Sequence, residues 1–176
     1  MSNCGGWGKG DWGGGVCQTG PWGGVDKYPP TLIAMQPNCG DTDINPAAPI
    51  TIKISDRGCS GLSLDCVRIY VNKTLAYSGS GLTIGVNQAN GFQSICDEAC
   101  SSFTVSTDAT CGDSIWTIKL CCTNFGCGAT VQLSATFCDL GGNEFKIGSG
   151  DSSASNCKFK TLACNFIKKV EIIDNK

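Results

Sequence analysis

Fourteen cysteines in 176 residues constrain this chain more than any other feature. At roughly 8% of residues, cysteine approaches the level of extracellular scaffolds whose small cores are stapled by disulfides. The sequence opens Met1-Ser2-Asn3-Cys4-Gly5-Gly6-Trp7-Gly8, with neither the basic n-region nor the apolar h-region of an export signal. The expectation is a protein suited to an oxidising exterior but made in a cytosol. Three routes reconcile the two: release by cell lysis, as for a virus particle; a mature chain whose signal has been removed; or a host whose cytosol tolerates disulfides.

The alternative use of cysteine is metal binding, and the spacing speaks against it. Zinc ribbons and fingers present Cys-x-x-Cys knuckles, and no Cys-x-x-Cys occurs here. The nearest arrays are Cys96-x-x-x-Cys100 and Cys121-Cys122-x-x-x-x-Cys127. No metal site and no cofactor is therefore expected. The disulfide candidates are Cys4, Cys17, Cys39, Cys59, Cys66, Cys96 and Cys100, with Cys111, Cys121, Cys122, Cys127, Cys138, Cys157 and Cys164. An even count permits complete pairing, but sequence does not fix the partners. Cys59 with Cys66 and Cys96 with Cys100 are the near neighbours. Adjacent Cys121 and Cys122 point to opposite faces if they lie in a strand, and so should take different partners.

Other chemistry is sparse. Histidine is absent, which removes the commonest general base and metal ligand together. Lone Ser or Cys nucleophiles then have no histidine to activate them, so catalysis is not expected and no catalytic residue is assigned. A net charge of −2 provides no basic field for nucleic acid. No apolar run reaches membrane-spanning length. Asp41-Thr42-Asp43-Ile44-Asn45 imitates the start of a calcium loop, but Pro46 and Ile52 stand where an EF-hand needs Gly and Glu. Asp56 and Asp139 read as turn residues rather than cation ligands. Asn72-Lys73-Thr74 fits the glycosylation sequon, and a hairpin turn explains it better.

Composition divides the chain into three parts. Residues 1–30 repeat a Trp-Gly unit and hold Trp7, Trp12 and Trp22. Glycine permits close backbone approach and tryptophan supplies a large apolar face, so this arm is expected to anchor on a neighbouring subunit through those three residues. Tyr28-Pro29-Pro30 is a stiff junction. Residues 31–148 read as strands: Ile50, Ile52 and Ile54 alternate with polar residues, as do Val67, Ile69 and Val71, then Trp116, Ile118 and Leu120, then Val131, Leu133, Ala135 and Phe137. Residues 85–114 read as a long insertion holding one strand near Phe103. Residues 149–176 form an extension with Phe159, Leu162, Phe166, Ile167, Val170, Ile172 and Ile173, too apolar for a mere tail. It suits an added strand, on this domain's own edge or on a neighbouring copy. The expected fold is all-β: an Ig-like β-sandwich of six or seven strands between these two appendages.

Several motifs fall in a familiar order. Pro30-Thr31-Leu32-Ile33-Ala34-Met35-Gln36-Pro37-Asn38-Cys39-Gly40 opens with a proline, an apolar run and a Pro-x-x-Gly turn. A strand from Ile50 to Asp56 follows, then the loop Gly58-Cys59-Ser60-Gly61-Leu62, then a strand from Val67 to Asn72. Asp139-Leu140-Gly141-Gly142-Asn143 supplies a final hairpin turn. From Pro30 to about Ile147 the chain resembles the bacterial-type Ig-like domains of phage virion proteins and bacterial surface proteins. The Trp-Gly segment resembles the aromatic-glycine repeats that precede such domains in tail-associated phage proteins. The cysteine load departs from that family, which is usually cysteine-poor.

The resemblance implies a structural subunit of a bacteriophage or related virus particle, in its tail, neck or head decoration. Its partners would be other virion subunits or copies of itself, met through the Trp-Gly arm and the C-terminal piece. Its location would be the virion, after synthesis in the host cytoplasm. The alternatives are an adhesion or carbohydrate-binding module on a host-surface glycan, and a subunit of an extracellular filament.

Overall fold

A computed structural model describes residues 28–56, 61–80, 82, 91–107, 114–122, 125–148 and 157–163. The arm with Trp7, Trp12 and Trp22 lies outside these residues, as do Cys4, Cys17, Cys59, Cys111 and Cys164. Nine strands are present among the described residues: β1 (Thr31–Gln36), β2 (Ile50–Asp56), β3 (Leu62–Val71), β4 (Thr74–Ser78), β5 (Ser102–Thr107), β6 (Ser114–Leu120), β7 (Thr130–Asp139), β8 (Glu144–Ile147) and β9 (Cys157–Lys160). They form two antiparallel sheets, ordered β1-β2-β6-β5 and β4-β3-β7-β8, with β9 added on β7. That is the strand order of an Ig-like sandwich with two extra strands, β4 beside β3 and β9 beside β7.

Period-2 patterning builds the core. Ile50, Ile52 and Ile54 face it from β2, Trp116, Ile118 and Leu120 from β6, and Val131, Leu133, Ala135 and Phe137 from β7; all are buried. Burying each such side chain contributes about 1.5–3 kcal/mol relative to exposure. β2 and β6 run in unbroken register from Ile50↔Leu120 to Asp56↔Ser114, so the two apolar faces coincide along their whole length.

β3 is longer than the alternation from Val67 onward predicts. Its register against β7 shifts between Ser63 and Arg68, which breaks the period around Asp65 and Cys66 and conceals the first turn of the pattern, Leu62 and Leu64, both buried. The β3–β4 hairpin turns on Asn72 and Lys73, both with positive φ (50° and 66°), as a two-residue I′ turn requires. The Asn72 side chain is structural: its Oδ1 accepts the Gln132 N–H at 2.8 Å, fastening the turn to β7.

The C-terminal piece does contribute a strand, and it is on this domain's own sheet. Leu133 of β7 pairs Val71 on one flank and Cys157 on the other. β8 and β9 therefore share a flank of β7, β8 along Ala135–Cys138 and β9 along Thr130–Leu133. The chain leaves that line at Gly148, which has φ +67° and sits against the Leu133 carbonyl, where a Cβ has no room. Phe159 then returns a buried ring to the core.

Candidate interaction surface

Four disulfides have both ends described: Cys39–Cys157, Cys66–Cys138, Cys96–Cys122 and Cys100–Cys121. Cys127 is disulfide-bonded as well. The near pairings do not occur. Cys66 joins Cys138 across β3 and β7, not Cys59, because its side chain lies beside the adjacent strand rather than the loop before it. Cys96 and Cys100 reach past each other to the residues following β6, not to one another. Cys121 and Cys122 do take different partners.

The last two bridges clamp the connection between β4 and β5. Residues 91–101 cross from one sheet to the other there. The Asp97 N–H donates to the Cys121 carbonyl at 2.8 Å, and the Cys121 N–H donates to Ser101 Oγ at 3.0 Å. Beneath lies an aromatic cluster. Tyr77 of β4 meets Phe92 (centroids 4.8 Å apart) and Phe103 of β5 (6.0 Å), and Phe103 meets Trp116 of β6 edge-on at 5.1 Å. Trp116 is thus core. The Tyr77 hydroxyl is buried and makes no hydrogen bond among the described residues. Burial pushes its pKa up to about 12, since the phenolate cannot be hydrated there.

Buried Asp139 holds the β7–β8 turn. Its Oδ1 accepts the Asn143 N–H at 2.8 Å and its Oδ2 accepts Asn143 Nδ2 at 2.7 Å. Among the described residues, no three of His, Cys, Asp or Glu gather as a metal site. Disulfides also consume the thiols of Cys96, Cys100, Cys121, Cys122 and Cys127.

The end of the sandwich away from the Asp139 turn carries a grooved surface. After β1, a cis Gln36–Pro37 bond leads into the β1–β2 connection. That connection lies along β9: Gly40 N–H donates to the Lys158 carbonyl, Lys160 N–H to Asp41 at 2.8 Å, Ile44 N–H to Lys160 at 3.1 Å and Leu162 N–H to Ile44 at 2.8 Å. Cys39–Cys157 locks the same contact. The connection belongs to one sheet and β9 to the other, so this ladder closes the sandwich. Two adjoining clefts of about 290 and 340 Å³ open here and share Gln36, Asp41 and Thr51. One extends along β1 past Ala34 and Lys53, and the other reaches Asp43 and Ile44. Sequence reasoning missed this groove. Only the Asp41-Thr42-Asp43 run hinted at it; the rest of its lining, between Ala34 and Lys53, comes together only when β1 pairs with β2.

No protein-family model matches the chain, and no curated protein matches it. Among solved structures, dimeric latent PorU from Porphyromonas gingivalis is similar with a TM-score of 0.46 at 15% identity, over 78% of this chain and 11% of that one. The chain thus spans a small part of that protein, and a likeness at this level carries no argument about function.

Proposed function

We propose that the chain is a non-enzymatic structural subunit of a bacteriophage or related virus particle, displaying a disulfide-locked Ig-like sandwich and docking on neighbours through its Trp-Gly arm. The observation that carries this reading is the placement of the cross-links. One ties the β1–β2 connection to β9, one ties β3 to β7, and two clamp the crossing between the sheets. Bridges at both ends of a fold limit its opening, which suits a part that is exposed, long-lived and mechanically loaded. The polar groups of the interior serve structure: Asp139 builds a turn, and Tyr77 packs in an aromatic cluster. The arm enters the sandwich through Tyr28 to Pro30, with Pro30 buried and Tyr28 exposed. Its tryptophans provide the large, low-entropy contacts that dominate docking interfaces.

The test is particle incorporation. Full-length chain carrying Trp7→Ala, Trp12→Ala and Trp22→Ala should fold with its bridges intact but fail to enter particles, while wild type co-purifies with them. Absence of the wild-type chain from purified particles of its source would refute the virion reading. Normal incorporation of the triple variant would refute the anchoring role.

A further inference from the structure

Alternation decides which side chains of the β4-β3-β7 sheet, with β8 and β9, face outward. Val67, Ile69, Leu133 and Phe159 face the core, so Arg68 and Tyr70, Gln132 and Ser134, and Lys158 and Lys160 face out. The register arranges them on a grid. Tyr70 stands between Ser134 of β7 and Leu75 of β4, and Lys158 flanks Gln132. Arg68 is two residues along β3 from Tyr70, opposite Thr136. Two strand spacings and one two-residue step separate Tyr70 from Lys158, about 12 Å between Cα positions.

Charge is concentrated on this face. Arg68, Lys146, Lys158 and Lys160 are four of the chain's 13 Lys and Arg residues, in a chain of net charge −2. The acids here are Glu144, held by Lys146 at 2.9 Å, and Asp65 at the β3 irregularity; both lie toward the Cys66–Cys138 bridge. Lys158 and Lys160 stand at the other end, exposed, and form no ion pair among the described residues. Asp41 and Asp43, in the connection beside β9, line the groove on β1 and β2. Arg68 is positioned by main chain: its Nη1 donates to the Asp65 and Val67 carbonyls at 2.9 and 2.8 Å, which fixes the guanidinium without neutralising it.

An aromatic ring sits among these cations. Tyr70 is 37% exposed, with half-buried Leu75 beside it, so an apolar spot interrupts the polar face. Ser134 and Gln132 fill the space between ring and lysines with neutral hydrogen-bonding groups. The cations call for an anionic ligand, the ring for a flat and partly apolar one, and the hydroxyl and amide for a hydroxyl-rich one. The 12 Å span calls for several units in a row. A polysaccharide that carries carboxylates meets all four demands.

We propose that this sheet face binds an acidic polysaccharide. One sugar ring stacks on Tyr70, and carboxylates of adjoining units reach Arg68 on one side and Lys158 and Lys160 on the other. This inference goes beyond the virion reading and does not depend on it.

The test titrates the full, oxidised chain with oligogalacturonate at low ionic strength. Wild type should bind saturably, and more weakly as salt rises. Tyr70→Ala, and separately Lys158→Gln with Lys160→Gln, should each weaken binding at least about fivefold, while Tyr70→Phe should keep it. All three positions are exposed, so the sandwich should fold in each variant. Lys53→Gln with Lys119→Gln removes the same charge from the outer face of the other sheet, and should leave affinity within about twofold. No binding by wild type, or an equal loss from both lysine pairs, would overturn the proposal. So would equally tight binding of polyglutamate or oligothymidylate, since the face would then attract any polyanion without recognising sugar.

Discussion

Tyr77 is a polar residue in an apolar place. Its ring fills the junction of the two sheets, while its hydroxyl is buried without a hydrogen bond among the described residues. Removing that hydroxyl and keeping the ring relieves a desolvation cost, so Tyr77→Phe should leave stability unchanged or raise it by about 1 kcal/mol in urea unfolding. The raised pKa fixes a pH dependence. Below the ordinary tyrosine value of 10.0, folded and unfolded chains hold the proton equally. Between there and about 12, the unfolded chain loses it first, so stability should fall with rising pH across that window. Tyr77→Phe should flatten part of that fall. Gly148 makes the opposite point. With φ +67° and the Leu133 carbonyl where a Cβ would stand, Gly148→Ala adds backbone strain and a clash, and should cost about 1–3 kcal/mol in the same assay. The inward residues of β2, β6 and β7 were legible in the sequence, because alternation alone puts Ile52 or Trp116 on the buried face. The special positions were not. Nothing near Gly148 in sequence announces Leu133, and nothing near Tyr77 shows that its hydroxyl lacks a partner.

At the level of elements, the cross-links decide which parts can open. Cys96–Cys122 and Cys100–Cys121 close segments with sequence separations of 26 and 21, and hold residues 91–101 over the aromatic cluster. Replacing all four cysteines by alanine should make that segment the first site of limited proteolysis, with β2 and β7 still protected from hydrogen exchange. Cys39–Cys157 spans 118 residues and joins the two sheets at the same end, where Ile50 of β2 pairs Leu120 of β6. Its removal should cost about 2–4 kcal/mol, less than a free loop of that length implies, because the other bridges already restrict the unfolded chain. Strand identity was readable wherever the period ran unbroken, as in β2, β6 and β7. It was lost where irregularity intervened: the register shift near Asp65 hid the start of β3, and the departure at Gly148 separated β9 from β8. Disulfide partners were unreadable for a further reason. Pairing depends on which strands become neighbours, and Cys66 finds Cys138 only after β3 and β7 are side by side.

For the whole molecule, the sandwich makes the disulfides and the disulfides make the sandwich durable. The two-sheet architecture was legible from strand count, turn spacing and the motif order. The groove at the β1–β2 connection was not, because it forms only once β1 and β2 pair beside the connection that joins them. Durability is the property on which the structural-subunit reading rests, and thiol chemistry reports it directly. The most direct measurement is the intact mass of the non-reduced protein from its native source, before and after alkylation under denaturing conditions. Nine described cysteines are disulfide-bonded, and the partner of Cys127 makes ten. No more than four of the fourteen cysteines should therefore alkylate (fourteen less ten). The mass should lie about 10–14 Da below that of the reduced chain, two hydrogens for each bridge. Alkylation of ten or more thiols would contradict the account, leaving a reduced sandwich with no cross-linked frame.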